Sequence, residues 1–380
     1  MRGTAATGSP GAILRSEHVE VRRSGERALL ADSIGRSAQQ LDPVATSIVE
    51  RLGAPTTLAT VCERIAAEFD VEPEECAATV ERFVGELRRR GFVEEYDAPQ
   101  AEIVTRRRYL DLLARALVNL IYPEHALRME HLLKHGPSGD GIADQRLLRD
   151  IRYDDVEAFE GLLEAKREGH VWRGRPQPDA HTMVGLRRLE NLERCAARVF
   201  AGGVPGDFLE AGVCQGGASI FLRALQVAYD EPQRRTWVAD SFEGLPEPTH
   251  PEDVKLGLDF SESKQPWLAA SLRAVQDNFR TYDLLSDAVR FVPGWFSETL
   301  AALPVERLAI LRLDADLYES TQDVLQALYD RVSPGGYVVV DDYWAFEPCR
   351  LAVDGFLAER APGVELRRID WTGVFWRKTA

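Results

Sequence analysis

The chain has 380 residues, 45% of them hydrophobic and 8% aromatic, with a formal net charge of −15. That composition supports a sizeable core and two or three domains, and its acidity excludes general attachment to nucleic-acid phosphates, which needs surplus Lys and Arg. Cysteines at 62, 76, 195, 214 and 349 are odd in number and lack CxxC spacing, which points to reduced thiols in the cytoplasm and away from disulfides or zinc. No apolar run reaches membrane-span length, and the first ten residues lack a signal-peptide core, so neither membrane nor export is expected.

Residues 13–96 read as one small module. Val19-Glu-Val21 and Arg27-Ala-Leu-Leu-Ala-Asp32, split by Ser24-Gly25, predict a hairpin. Asp42-Pro43 opens a helix with Asp42 as cap and Pro43 at its first position. Thr57 precedes a second helix carrying Leu58, Val61, Ile65 and Phe69. A third follows Glu72, carries Val80, Phe83, Val84 and Leu87, and closes at Gly91 before a short strand at Phe92-Val93. Three helices and a hairpin make a winged-helix-like α+β unit. Arg88-Arg89-Arg90 is either a phosphate-seeking cluster or a solvated last turn suited to the helix dipole. Glu72, Glu74, Glu75, Glu81 and Glu86 around it favour the second.

The run of apolar positions from Leu41-Asp-Pro-Val-Ala-Thr-Ser-Ile through Thr57-Leu-Ala-Thr-Val-Cys-Glu-Arg-Ile-Ala to Val80, Phe83, Leu87 and Gly91-Phe-Val resembles the PqqD-like family. These are leader-peptide recognition domains of pathways that modify ribosomally made peptides. The resemblance implies a precursor peptide as partner, its leader added as a strand to an exposed hairpin edge. Arg27 to Asp32 are the candidate edge.

Residues 97–200 read as a connector and lid. Asp97-Ala-Pro99 is a linker. Arg106-Arg-Arg108 begins a helix with Leu112, Leu113, Ala116 and Leu120, either a core-facing helix or a basic membrane-surface one. Residues 134–180, rich in Gly, Pro, Asp and Arg, are expected to form a covering or substrate-binding loop with an acidic helix near Tyr153 to Lys166. His181, before a helix carrying Leu186, Leu189, Leu192 and Cys195, is a general-base candidate or simply a cap or surface residue.

Residues 201–380 alternate strand and helix patterns, which predicts an α/β, Rossmann-like domain with a mostly parallel sheet. Gly206-Asp-Phe-Leu-Glu210 is a strand ending in an acid, followed by a turn with Gly212, Gly216 and Gly217. The spacing is neither the dinucleotide fingerprint nor a P-loop. Thr236-Trp-Val-Ala239 ends in Asp240, placed to bond ribose hydroxyls. Val289-Arg-Phe-Val292 ends before Trp295-Phe296, which line an adenine pocket or pack in the core. A nucleoside without a pyrophosphate fits, as in S-adenosylmethionine. Leu308 to Leu313 ends in Asp314 and Asp316, and Gly336 to Val340 ends in Asp341-Asp342. Acids at the mouths of two buried strands converge on a hard cation such as Mg²⁺, or cap the following helices. The cap is a strong rival for Asp316. Trp371, Phe375 and Trp376 read as sheet core.

Thr182-Met-Val-Gly, Glu210-Ala-Gly-Val-Cys-Gln-Gly-Gly, Ala239-Asp-Ser-Phe-Glu-Gly-Leu-Pro, Gly294-Trp-Phe, Leu313-Asp-Ala-Asp-Leu-Tyr-Glu-Ser-Thr, Ser333-Pro-Gly-Gly-Tyr-Val, Asp341-Asp-Tyr and Asp370-Trp-Thr-Gly-Val resemble, in order, the TylF/MycF family. These are metal-dependent O-methyltransferases, many acting on sugar hydroxyls of natural products. Two departures are Cys214-Gln215, where an aromatic and a basic residue are common, and Ala315, where Gly is usual. The resemblance implies that Asp314, Asp341 and Asp342 hold Mg²⁺ and that Asp316 is the general base, with Asp314 in the catalytic set; His181 stays as the other base candidate from its own place in the sequence. Glu210, Gly212, Gly216, Asp240, Ser241, Thr182, Met183 and Trp295 would meet S-adenosylmethionine. It also implies a homo-oligomer.

Joined to a leader-binding module, this domain is expected to methylate a hydroxyl or carboxyl of a precursor peptide. One alternative is a sugar O-methyltransferase acting on a glycosylated small molecule. A second is a DNA-binding regulator that senses S-adenosylmethionine, disfavoured by the net acidity.

Overall fold

The computed structural model describes residues 12–16, 19–24, 27–32, 38–53, 55–96, 100–136, 140–154, 156–169, 180–257 and 268–379. The chain divides into two compact units, Met1–Asp111 and Leu112–Ala380. The helices after residue 112 thus share a unit with the large sheet.

The first unit has strands β1 (Ala12–Arg15), β2 (Val19–Ser24), β3 (Arg27–Asp32) and β4 (Ala38–Leu41), helices α1 (Pro43–Arg51), α2 (Leu58–Phe69) and α3 (Pro73–Arg89), and strand β5 (Val93–Tyr96). Two of the caps form as the sequence predicts. Asp42 accepts from the Ala45 amide at 2.7 Å, and Thr57 accepts from the Thr60 amide at 3.2 Å. Ile48, Leu52, Val61, Ile65, Val80, Val84 and Leu87 meet in one core. The expected hairpin forms, but Arg27 to Asp32 is no edge. β3 is the middle strand of the order β2-β3-β4, so both neighbours use its amides and carbonyls. Among the described residues the open edges of this sheet belong to β2 and β4. Arg88 lies 3.8 Å from Glu95, and the Arg90 guanidinium sits 4.4 Å over the Phe92 ring, so two of the three clustered arginines are engaged within the unit.

Helix α4 (Gln100–Leu117) carries the division within it. In the second unit α5 (His125–His135), α6 (Gly141–Asp154) and α7 (Val156–Glu168) fill most of what the composition marked as a covering loop. Ile151, Ala158 and Leu162 recur at helical spacing and build a small core with Leu127, and that burial outweighs the Gly and Asp around them. Residues 170–179 of the expected loop lie outside the described residues.

Next come α8 (Leu186–Ala201), β6 (Asp207–Ala211), α9 (Gly217–Ala228), β7 (Thr236–Asp240), α10 (Pro251–Leu256), α11 (Leu272–Thr281), β8 (Val289–Pro293), α12 (Phe296–Thr299), β9 (Leu308–Leu313), α13 (Tyr318–Leu328), β10 (Val332–Val340), α14 (Glu347–Arg360), β11 (Arg367–Arg368) and β12 (Val374–Arg377). The sheet order is β11-β12-β10-β9-β6-β7-β8, parallel from β10 to β8, with β12 antiparallel to β10. This is the Rossmann-like arrangement the strand and helix pattern predicts. Every residue of β9 is buried, as expected for a parallel strand covered on both faces. Phe375 and Trp376 are core, but Trp371 is 39% exposed, its indole donating to the Glu168 carbonyl at 3.1 Å. Strand order reverses between β6 and β9, and at such a switch point the carboxyl ends leave a crevice. Among the described residues no helix is long and apolar enough to cross a membrane.

Candidate active site

The crevice is built from loops that must pass very close together. The Asp314 amide donates to the Ala211 carbonyl, and the Asp341 amide to the Leu313 carbonyl, each at 2.9 Å. Gly212 follows β6 with φ +85°, and any side chain there would run into the Asp314 carbonyl. Gly216 takes the same positive φ as cap of α9, and a side chain on Gly217 would strike the His181 carbonyl. Cys214 also has a positive φ, 46°, although it carries a side chain. Asp240 folds back on this loop, accepting from the Val213 amide at 2.7 Å and the Phe242 amide at 2.8 Å. Burial pushes its carboxyl up from the usual range, and those amides oppose the shift.

One carboxylate oxygen from each of Asp314, Asp316 and Asp342 lies within 4.8 Å of the others. Burial, then the neighbouring acids, push Asp316 up to about 8 and Asp342 well above the usual range. Asp342 Oδ2 is buried without a hydrogen-bond partner. Asp341, predicted beside them as a ligand, turns to two arginines instead. Arg312 Nη2 donates to its Oδ1 at 2.6 Å and Arg188 Nη1 bonds its Oδ2. Arg312, inside β9 and 1% exposed, also pairs with Glu210 and, at 3.0 Å, with Asp314. Burial works against its charge, but Asp341, Glu210 and Asp314 more than reverse that. Arg188 from α8 reaches Asp370 at 2.6 Å and Thr372 as well.

A cavity of about 320 Å³ opens over Asp314 and Asp316. Of the predicted site residues, Met183, Gly212, Asp240, Ser241, Trp295, Asp314 and Asp316 line it. Trp295 therefore faces the cavity, where core packing was its rival. Glu210 does not line it: fully buried, it is held by Arg312 and Ser219, and burial raises its pKa to about 7. Gly216 serves the α9 turn. Thr182 accepts from the Val184 amide at 3.2 Å in a local turn. His181 is off the cavity wall, its Nδ1 2.7 Å from the Tyr282 hydroxyl, and burial lowers its pKa. Asp316 does not cap α13. That helix start is held by Asp253 of α10, which accepts from the Tyr318 amide at 2.7 Å.

Arg312, Arg188, Asp370 and Asp253 escaped the sequence reading as functional residues. Arg312 left a signal, a lone charge inside an apolar run, and Asp370 opens the Asp370-Trp-Thr-Gly-Val motif. The acid cluster offers oxygen ligands alone, one of them an unpartnered buried atom, and such a donor set fits a hard divalent cation.

Residues 106–378 match the family described as Macrocin-O-methyltransferase (TylF), and residues 28–93 match Coenzyme PQQ synthesis protein D (PqqD). The chain is 44% identical over 276 residues to the 8-demethyl-8-(2,3-dimethoxy-alpha-L-rhamnosyl)-tetracenomycin-C 4'-O-methyltransferase of Streptomyces olivaceus, covering 72% of this chain and 93% of that one. It is 43% identical over 247 residues to the Mycinamicin III 3''-O-methyltransferase of Micromonospora griseorubida, covering 62% and 94%. The solved O-methyltransferase NovP is 38% identical with a TM-score of 0.58, over 72% of this chain and all of that one. With the glycine turn at the switch point and Asp240 beside it on the cavity wall, these matches make the protein an S-adenosylmethionine-dependent O-methyltransferase of the TylF family, preceded by a PqqD-like unit.

Proposed function

We propose that this enzyme methylates a ring hydroxyl of a sugar carried by a glycosylated natural product. The observation that carries the reading is its 44% identity to a methyltransferase whose name specifies a rhamnosyl group. The relatives of 42% and 43% identity are named for demethyldecarbamoylnovobiocin and mycinamicin III, also small natural products. The sequence alone put a precursor peptide first, and these relatives reverse that order.

Asp314 and Asp342, with Asp316 alongside, would hold Mg²⁺. When bound, the ion supplies Lewis-acid stabilisation to a hydroxyl losing its proton. Asp316 takes that proton. Its carboxylate lies beside those of Asp314 and Asp342, within reach of a hydroxyl held at the same ion. Asp341, clamped by Arg188 and Arg312, steadies the cluster from behind. Gly212 lets the cofactor approach the backbone, and Asp240 meets ribose hydroxyls. The sulfonium is already activated, so the protein mainly supplies position and charge.

Incubating the protein with S-adenosylmethionine and a panel of aryl rhamnosides and rhamnosylated polyketides, with Mg²⁺ or EDTA, tests this. One ring hydroxyl is expected to be methylated, and EDTA to abolish turnover. Failure across the panel, with methylation of a peptide instead, overturns it.

The PqqD match favours a second reading, in which the acceptor or its carrier is a peptide docked on the β2 or β4 edge. A labelled synthetic peptide encoded by a short open reading frame beside this gene, titrated into the protein, checks it. Absence of saturable binding removes that reading.

A further inference from the structure

We infer that Asp253 is a positioning residue that fixes one wall of the cofactor cavity against the acid turn. Two stretches far apart in sequence meet on the wall of the cavity. Residues 244–249 and Asp253, after β7, line it together with residues 314–317, Glu319, Ser320 and Asp323. Nothing local caps α13: Leu317, its cap residue, offers no side-chain bond. Asp253, 1% exposed, supplies the missing acceptor from another helix. Its Oδ1 takes the Tyr318 amide at 2.7 Å, and its Oδ2 takes the Glu319 amide at 3.5 Å.

Two further contacts tie the same stretches. The His250 ring stacks on the Tyr318 ring with centroids 4.0 Å apart and 8° between planes. The Thr249 hydroxyl donates to Glu319. Tyr318 is only two residues beyond Asp316, whose backbone is left-handed at φ 53°. Orphan amides at a helix start favour a carboxylate, so the clamp is stable only while residues 249–253 lie across that start. Both carboxylate oxygens of Asp253 are taken by backbone amides, so its role is to hold the wall. The inference rests on S-adenosylmethionine binding and is independent of the acceptor.

The test uses the full chain, S-adenosylhomocysteine titrated by calorimetry, and hydrogen exchange. Asp253→Ala is expected to weaken S-adenosylhomocysteine about tenfold and to speed exchange at residues 244–249 and at the Tyr318 amide. Asp253→Asn keeps the Oδ1 acceptor and is expected to stay within about threefold of the parent. A purely structural role lowers the melting temperature in both variants without separating their affinities, and that result overturns the inference. If Asp253→Ala does not fold, His250→Ala is expected to give a smaller loss, about threefold, with faster exchange at residues 244–249. Unchanged affinity and exchange in that variant overturn it equally.

Discussion

At the scale of single residues, Arg312 sets the electrostatics of the site. Its guanidinium spans Glu210, Asp314 and Asp341 at once, so the fork geometry matters as well as the charge. Arg312→Met strips buried Glu210 of its charge partner and leaves Asp341 with Arg188 alone, and breaking a buried pair typically costs about 3–5 kcal/mol. Arg312→Lys keeps the charge but cannot reach three partners. Urea denaturation should rank the parent above the Lys variant and the Lys variant above the Met variant. Equal stability of all three would show that the pairing is dispensable. The acid cluster predicts a pH dependence. Asp316 is pushed up to about 8, so between the ordinary carboxylate range and about 8 the folded chain holds a proton that the unfolded chain has released. Stability then falls as pH rises through that window. Asp342 shifts the same way, so the acids titrate as a group. A cation favours the ionised forms and opposes the loss. Melting curves in EDTA should therefore decline from about pH 5 to about pH 8, and Mg²⁺ should flatten the decline. A slope indifferent to Mg²⁺ counts against the metal.

At the scale of elements, the turn between β6 and α9 is the most constrained. Gly212 combines a positive φ with the Asp314 carbonyl where a side chain would go. Gly212→Ala is expected to lose S-adenosylhomocysteine binding by at least about a hundredfold and to lower the melting temperature, because the strain falls on the loop that carries Asp314. Near-normal binding would mean the two loops can move apart. The strands themselves were legible, because β9 and β10 are apolar runs with both faces buried. The Asp42 and Thr57 caps were legible because cap and helix are adjacent in sequence. Asp253 was not: its bond to Tyr318 joins residues 65 positions apart. The acidic helix expected near Tyr153 to Lys166 forms as α7, whereas α6 is hidden in the sequence because its few apolar positions sit among Gly, Asp and Arg. Arg27 to Asp32 reads as an edge in the sequence because β4, Ala-Gln-Gln-Leu, has little strand character of its own.

At the scale of the whole molecule, all the residues lining the cavity lie in Leu112–Ala380. Deleting residues 1–99 is therefore expected to leave S-adenosylhomocysteine affinity within about threefold. A loss beyond tenfold, roughly 1.4 kcal/mol, would give the PqqD-like unit a part in the cofactor site. The sequence by itself determined the class of both units, the strand and helix order, the glycine turn and the acids at two strand ends. These are local matters of apolar period, backbone freedom and residue chemistry. Only the tertiary structure decided which acids meet. Asp341 and Asp342 are neighbours in the chain, yet one faces two buried arginines and the other faces Asp314 and Asp316. Burial forces each charge to find a partner, and those partners come from helices and strands that only packing brings together.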